Sequence, residues 1–162
     1  IPNVGKSTFI NSFAGKACAK TGNKPGVTKG KQWIRLNKGL ELLDTPGILW
    51  PKFEDQQVGM RLAFIGSMND EILIPDELAC DLIGAIKELY PKALQERYAA
   101  DPAGKPIEIL EAVAESRKCY SKGEQLDLVK ASGLLIDDFR SGAIGKISLE
   151  FPEKIKKEET EV

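Results

Sequence analysis

The chain has 162 residues, of which 42% are hydrophobic and 29% charged, a balance that excludes a wholly disordered or collagen-like protein. No apolar run approaches the roughly 20 residues that a membrane-spanning helix requires, and no charged-then-apolar leader is visible at the N-terminus. The formal net charge is −1, but residues 1–50 are net positive and residues 51–162 are net negative. A basic first third favours an anionic ligand such as phosphate, whereas the acidic remainder argues against nonspecific nucleic-acid binding over the whole surface.

Cysteine and histidine usage excludes several classes of site. Cys18, Cys80 and Cys119 form an odd set without a C-x-x-C pair, and the chain contains no histidine. A disulfide scaffold or a zinc site is therefore not expected, histidine-based catalysis is excluded for these residues, and a reducing cytoplasm is the predicted location.

The first element in chain order is a glycine turn that leads into a helix predicted over residues 8–14. Residues 3–8 read NVGKST, the last part of the phosphate-loop pattern G-x-x-x-x-G-K-[ST]. Gly5 lets the backbone curl so that N–H groups face phosphate oxygens, Lys6 supplies a mobile positive charge, and Ser7 offers a hydroxyl to Mg²⁺. Taken alone, so short a match also fits an ordinary glycine turn. The predicted phosphate-binding residues here are Asn3, Val4, Gly5, Lys6, Ser7 and Thr8.

An exposed loop is predicted next, over residues 20–30, because this stretch is rich in Lys, Gly, Thr and Asn. It contains Thr28, which could close onto Mg²⁺ when a γ-phosphate is present and so act as an order–disorder switch. The β-prone runs 32–36 and 40–43 then flank an Asn- and Gly-containing turn, which predicts a hairpin.

The second predicted strand ends in Asp-Thr-Pro-Gly, and two of these residues are candidate site residues. Asp44 stands where a carboxylate can hold the Mg²⁺ shell, here through a water molecule. Gly47 admits a backbone N–H to the γ-phosphate. Turn propensity alone would also explain both residues. Together with the glycine turn they predict a nucleotide site in which Ser7 and Thr28 ligate Mg²⁺ and Lys6, Thr28 and Gly47 form the catalytic set.

Helical patterns dominate from residue 76 onward. Apolar residues over 76–90 recur at spacings of three and four, which predicts an amphipathic helix that opens near Pro75 and is stopped by Pro91. Pro106 begins a second predicted helix, and a third is predicted from Glu124 to Arg140.

The change from strand and loop patterns to helical ones predicts two domains in an α/β fold. Residues 1–70 would form an incomplete nucleotide-binding domain, and residues 71–150 a small all-α domain. Alternating apolar residues over 147–151 predict an extended segment. A charged tail, residues 151–162, closes the chain, and it is expected to be loose over 154–162.

The motifs NVGKST, Thr28 in G-V-T, and DTPG resemble those of the translation-factor-related GTPases. These proteins select guanine through N-K-x-D, a pattern that neither Asn23-Lys24 nor Asn37-Lys38 continues. Since the chain proceeds from DTPG into helices, it is similar to the circularly permuted GTPases, whose base-recognition motifs precede the phosphate loop. The stretches AKTGNKPGVTKGKQWIRL and LELLDTPGILWPKFED extend the resemblance.

The resemblance, strong over residues 1–65 and weaker afterwards, implies a partial P-loop GTPase domain followed by a helical C-terminal domain that binds RNA or the ribosome. It implies a cytoplasmic, monomeric GTPase without a membrane attachment, which binds GTP and Mg²⁺. Its partner would be the large ribosomal subunit, including ribosomal RNA, and hydrolysis would time its release. The first glycine of the phosphate loop and the guanine-binding residues are expected ahead of Ile1.

Two positions bear on the hydrolysis mechanism. Ile48 follows DTPG where many relatives place a water-orienting glutamine, and an apolar side chain cannot polarise water, so slow hydrolysis is expected unless a partner completes the site. Ile48 packed under the loop is the alternative interpretation. In similar cation-dependent GTPases the position of Asn3 coordinates K⁺, although asparagine is also a common turn residue.

Basic residues on the helical part are candidate RNA contacts, although a solvated helix face also explains them. They are Arg97, Arg117, Lys118, Lys122 and Lys130. Two other functions stay open on the sequence alone. One is an ATP-using P-loop enzyme, because no base-reading residue is present, and the other is an RNA- or protein-binding module with a vestigial nucleotide site.

Overall fold

A computed structural model describes residues 1–37 and 39–151 of the chain. In this part of the chain, six α-helices, a single-turn 3₁₀ helix at Asp70–Ile72 and one antiparallel pair of strands are found. The elements are α1 (Lys6–Ala14), β1 (Gln32–Asn37), β2 (Leu40–Asp44), α2 (Gln56–Phe64), α3 (Pro75–Leu89), α4 (Pro91–Tyr98), α5 (Pro106–Ser116) and α6 (Leu128–Arg140).

The N-terminal part contains the helix and hairpin predicted from the sequence. Strands β1 and β2 pair with Ile34 opposite Leu42 and Trp33 opposite Leu43. Because side chains alternate along a strand, Ile34 is buried while Trp33 is exposed. Ile34 forms a small hydrophobic cluster with Ile10 of α1 and Ala19 of the following loop. This cluster fixes α1 against the hairpin and so determines where the loop and the end of β2 meet.

A second and larger hydrophobic cluster is built from the helices. Helices α3 and α5 correspond to the first two of the three helices predicted in this part of the chain, and Pro75 and Pro106 occupy their first turns, where the missing N–H costs nothing. Leu82, Ile83 and Leu110 are completely buried in this cluster. These apolar stripes are therefore used for packing, as expected of core-facing helices.

Three features differ from the sequence-based expectations. Helix α2 was not predicted, and Pro91, expected only to stop α3, also begins α4. Helix α6 starts at Leu128 rather than at residue 124, because Gly123 and Glu124 adopt positive φ and Asp127 accepts a hydrogen bond from the Lys130 N–H as the N-cap.

The helical cluster extends beyond the predicted all-α segment. Ala63 and Phe64 at the end of α2 belong to its buried set, and Ile147 and Leu149 pack against it. No strand is assigned over 147–151 among the described residues, so the alternation there reflects packing on the helices. The expected loose tail over 154–162 lies outside the described residues. Within the described part, no helix has both the length and the apolar character needed to cross a bilayer.

Candidate functional site

The glycine turn and α1 form the predicted cradle. Gly5 is the N-cap of α1 and has φ of +84°, a left-handed conformation that glycine adopts without the Cβ penalty. The first N–H groups of α1 have no acceptor within the helix and point toward its N-terminal end, where an anion is favoured. The Lys6 ammonium donates a hydrogen bond to the Ile1 carbonyl, which holds its charge beside the turn.

A cavity of about 330 Å³ lies between the glycine turn and the loop that follows α1. This volume is at the lower end of the range for small-molecule sites. Lys6, Lys20 and Lys24 all line it, so the cavity wall is positively charged. Every predicted phosphate-binding residue contributes to the lining: Asn3, Val4, Gly5, Lys6, Ser7, Thr8 and Gly47.

The three predicted metal-binding side chains meet beside this cavity, although they are far apart in sequence. The Ser7 hydroxyl donates to Asp44 Oδ2 at 2.9 Å and lies 3.2 Å from Thr28 Oγ1, which is itself 3.5 Å from Asp44 Oδ2. Thr28 lines the main cavity, and Asp44 and Thr28 both line a neighbouring one. The structure thus brings together the residues that sequence reasoning assigned to Mg²⁺.

One oxygen of this group has no partner. Asp44 is only 2% exposed, and its Oδ1 is buried without a hydrogen bond in the part of the chain that is described. An unpaired buried carboxylate oxygen is costly, and a divalent cation or a water molecule held by one supplies the missing interaction. Two hydroxyls and one carboxylate are the oxygen donors that Mg²⁺ prefers, so these residues fit that ion. Elsewhere in the described residues, no cluster of three or more acidic or cysteine side chains could hold a metal.

Gly47 is constrained by the backbone of the glycine turn. A Cβ atom at this position would lie 2.3 Å from Pro2 Cα and 2.7 Å from the Ile1 carbonyl oxygen, closer than atoms can approach. The DTPG segment therefore rests directly on the entry to the phosphate loop, and only glycine fits there. Sequence reasoning placed Gly47 at the γ-phosphate but did not anticipate this contact.

The residue after it, Ile48, is 78% exposed. The interpretation in which Ile48 packs under the loop is therefore wrong for this structure, since nothing in the described residues covers it. An exposed isoleucine beside the cavity offers no hydrogen-bonding group to a water molecule.

Asn3 is held in a left-handed conformation, with φ of +52°. Its side-chain nitrogen donates to the Gly66 carbonyl at 3.1 Å. This hydrogen bond uses the nitrogen end of the amide and leaves Oδ1 as the end that could ligate a cation.

Sequence reasoning missed Asn11, whose side chain fixes the root of the loop that carries Thr28. Its Oδ1 accepts hydrogen bonds from the N–H groups of Cys18 and Ala19 at 2.9 and 2.8 Å, and its Nδ2 donates to the Ala19 carbonyl at 2.8 Å. A signal was present, because asparagine is unfavourable inside a helix unless its amide is used elsewhere.

Both candidate RNA-contacting arginines have partners within the helical cluster. Arg97 and Arg117 both bind the Asp138 carboxylate, at 3.1 and 2.7 Å, and the Tyr98 hydroxyl donates to it at 2.9 Å. Burial alone would raise the pKa of Asp138, but hydrogen bonds from Tyr98 and Arg97 and the charges of both arginines outweigh burial and hold that pKa below its ordinary value. The other three candidates are exposed lysines: Lys118, Lys122 and Lys130.

Comparison with known proteins gives consistent matches. The sequence profile of a family described as 50S ribosome-binding GTPase matches residues 1–110. Ribosome biogenesis GTPase A of Bacillus cereus is 47% identical over 155 residues, covering 95% of this chain and 52% of that protein. Its counterpart in Thermotoga maritima is 32% identical over 155 residues, covering 96% of this chain and 55% of that protein. The chain therefore spans about half the length of these relatives.

Solved structures agree with these matches. A GDP-bound structure of TM YlqF is similar with a TM-score of 0.61 at 27% identity, covering 94% of this chain and 58% of that chain. A crystal structure of GNP-bound YlqF from T. maritima has a TM-score of 0.61 at 28% identity, covering 94% of this chain and 57% of that chain. The assignment of a P-loop GTPase domain made from the sequence is thereby confirmed, whereas the separate all-α domain stays a prediction.

Proposed function

This chain belongs to the family of 50S ribosome-binding GTPases, and from that membership we propose that it is part of a GTP-hydrolysing assembly factor for the large ribosomal subunit. The observation that carries the proposal is the meeting of Ser7, Thr28 and Asp44 beside a lysine-lined phosphate cradle. The Asp44 carboxylate beside the glycine turn is buried with one oxygen unpaired in the described part of the chain. A glycine turn with another role would have no use for such a group. The same observation argues against a vestigial nucleotide site, and the names of the relatives favour GTP over ATP.

In this proposal the phosphates of GTP bind at the start of α1. The backbone N–H groups of Gly5, Lys6 and Ser7 face the anion, and the Lys6 ammonium exchanges the Ile1 carbonyl for a phosphate oxygen. Ser7 and Thr28 would ligate Mg²⁺, and Asp44 would hold its shell through water. When bound, Mg²⁺ would neutralise negative charge on the β- and γ-phosphates.

Hydrolysis by this site is proposed to be slow without a partner. Ile48 cannot orient the attacking water, so another group has to complete the site. We assign K⁺ binding to the Oδ1 of Asn3, since the nitrogen of that amide is used by Gly66. A potassium ion there would offset charge that develops between the phosphates.

The helical part, residues 71–150, is proposed as the domain that docks on ribosomal RNA or a ribosomal protein. Lys118, Lys122 and Lys130 are exposed there, whereas Arg97 and Arg117 are engaged by Asp138, so the lysines are the better candidates for phosphate contacts. The protein is proposed to act as a cytoplasmic monomer, and hydrolysis would time its departure from the subunit.

The test is the GTP turnover of the full-length protein in K⁺ and in Na⁺, with and without purified large ribosomal subunits. We expect low turnover alone and stimulation by K⁺ and by subunits, with ATP hydrolysed far more slowly. Absence of stimulation by subunits would contradict the ribosomal assignment, and equal turnover of ATP would support an ATP-using enzyme instead.

A further inference from the structure

The turn that follows α2 holds the entry to the phosphate loop. Ser67 is completely buried, and its hydroxyl donates to the Pro2 carbonyl at 2.8 Å. The preceding carbonyl, that of Gly66, accepts the hydrogen bond from Asn3 Nδ2 at 3.1 Å. We call this pair of residues the Gly66–Ser67 turn. It therefore binds Pro2 and Asn3, two consecutive residues shortly before Gly5. These contacts span 65 and 63 positions of the sequence, so they depend on the tertiary fold.

The Gly66–Ser67 turn is itself fixed to the end of α2. The Ser67 N–H bonds to the Leu62 carbonyl and the Gly66 N–H to the Ala63 carbonyl, while Gly66 has φ of +72°. This pair of bonds around a left-handed glycine is the Schellman arrangement that ends many helices. The turn is therefore attached to the C-terminal end of α2 by two backbone hydrogen bonds.

Arg140, the last residue of α6, clamps the same helix end from the other side. Its guanidinium donates to the Phe64 carbonyl at 3.0 Å and to the Ala63 carbonyl at 2.8 Å, and it binds both oxygens of Asp70 at 2.8 Å. The Arg140 hydrogen bond holds the pKa of the Asp70 carboxyl below its usual value. A Cβ on Gly66 would lie only 3.1 Å from Arg140 Cζ, so the turn and the arginine are in close contact.

We propose that the Gly66–Ser67 turn is a positioning element for the phosphate loop, through which the placement of α6 sets the geometry of Pro2 and Asn3. The path runs from α6 through Arg140 to the turn, and from the turn to the loop. Asn3 has a positive φ, a conformation that non-glycine residues adopt at an energetic cost, and the bond to Gly66 offsets that cost. The inference rests on the proposed nucleotide binding at this loop.

A displacement within the helical cluster would therefore alter nucleotide binding without any direct contact between that cluster and the nucleotide. A partner that shifts α6 would move the Arg140 clamp and the turn attached to it. Because packed elements transmit displacement rather than absorb it, the loop would be pulled away from the geometry that suits phosphate.

The test measures the affinity of the full-length protein for a fluorescent, nonhydrolysable GTP analogue, below the temperature at which unfolding begins. Ser67→Ala removes the bond to Pro2, and we expect affinity to fall roughly 3- to 10-fold, the size of a lost buried hydrogen bond. Arg140→Gln lies outside the site, and we expect it to weaken affinity as well. The double variant should lose less than the two separate losses combined, because both act on the same turn.

Two variants control for general loss of stability. Ser132 is also a completely buried serine on α6, but it lies about two turns from Arg140. Its hydroxyl is within hydrogen-bond distance of Asp76 Oδ1 and the Leu128 carbonyl, so its removal leaves the Arg140 clamp in place. Arg61 lies on α2 and pairs with Glu150. We expect Ser132→Ala and Arg61→Gln to leave nucleotide affinity within about twofold of wild type, although Ser132→Ala lowers the unfolding temperature.

Amide hydrogen exchange separates positioning from stability. In Arg140→Gln we expect faster exchange at the amides of Gly66 and Ser67, which bond to the Ala63 and Leu62 carbonyls, while the amides of β1 stay protected. Wild-type affinity and unchanged exchange in both Ser67→Ala and Arg140→Gln would overturn the proposal, as would an equal loss of affinity in Ser132→Ala. If the wild-type protein itself fails to bind the analogue, the proposed function fails, and this inference fails with it.

Discussion

Asp44 shows how one side chain can be predicted by type and position but not by environment. Its place after an apolar strand and before Thr-Pro-Gly indicated a carboxylate near Mg²⁺. The sequence could not reveal that Oδ2 is shared by Ser7 and Thr28 while Oδ1 is buried without a partner. Those facts depend on how α1 packs against the end of β2.

Asn11 provides a prediction at the same scale. Asn11→Ala removes three hydrogen bonds to the backbone of Cys18 and Ala19, so the root of the Thr28 loop should open more often. We expect a loss of about 1–3 kcal/mol in local stability, since each such bond contributes roughly 1 kcal/mol. Hydrogen exchange at the amides of Cys18 and Ala19 measures this loss of local stability directly. The affinity for the GTP analogue should fall in the same variant.

The matched control is Asn69→Ala. Asn69 also bonds nearby backbone, at Glu71, but it is the N-cap of the 3₁₀ helix Asp70–Ile72 and does not line the cavity. Its removal should leave exchange at Cys18 and Ala19 unchanged. An Asn11→Ala protein with wild-type exchange at Cys18 would mean that the side chain does not fix this loop.

At the scale of elements, apolar periodicity predicted the helices that bury a continuous stripe of residues. It did not predict helices that bury only a short stretch. Helix α3 has five buried residues spread over its length, so its apolar spacing is visible in the sequence. Helix α2 buries only its last three residues, Leu62 to Phe64, which is too short a stretch to show a period. Pro91 was interpreted as a stop signal, but proline is equally suited to the first turn of the next helix.

The junction of α4, α5 and α6 at Asp138 predicts an acid-dependent stability. Because the folded-state pKa of Asp138 is lowered, its contribution is complete above the unfolded-state pKa of about 3.9 and is lost as pH falls through the folded value. Asp138→Asn should therefore lower the free energy of unfolding by roughly 1–3 kcal/mol at pH 7, where charge-assisted bonds to Arg97 and Arg117 are lost. The difference from wild type should shrink below about pH 4.

Urea unfolding at pH 7 and at pH 3 measures this difference. Glu41→Gln is the control, since Glu41 pairs with Arg35 on the surface, where the two side chains are 51% and 73% exposed. We expect it to change the free energy of unfolding by less than about 1 kcal/mol. A deficit of Asp138→Asn that is the same at both pH values would show that the carboxylate charge is not what stabilises the junction.

At the scale of the whole molecule, the sequence predicts two domains, and the two hydrophobic clusters allow this prediction to be tested. The cluster around Ile34 and the helical cluster around Leu82 share no buried residue. Leu82→Ala should cost the helical cluster about 2–5 kcal/mol, because Leu82 is completely buried. Native-state hydrogen exchange should then show lost protection in α3 and α5, with the amides of β1 and β2 unchanged. Equal loss of protection in the hairpin would show one cooperative unit.

Contacts between residues that are far apart in the sequence are the part of the site that could not be predicted from the sequence. The phosphate cradle was predictable because Gly5, Lys6 and Ser7 are adjacent and their chemistry is local. The rest of the site was not, since Gly47 rests on Pro2 through backbone shape, a contact that residue types do not reveal. The motifs therefore identify the nucleotide site, whereas its supporting contacts have to be read from the fold.

In the proposed site, backbone amides and Lys6 bind the phosphates of GTP, with Mg²⁺ alongside. The most direct measurement is the equilibrium binding of a nonhydrolysable GTP analogue to the full-length protein in Mg²⁺, for wild type, Lys6→Ala and Lys16→Ala. Lys16 is the control, an exposed lysine just beyond α1. We predict binding by wild type and Lys16→Ala, and affinity at least about tenfold weaker for Lys6→Ala, because a charge-assisted phosphate contact is lost. Equal affinity of Lys6→Ala and wild type, or no binding by wild type, would contradict the account.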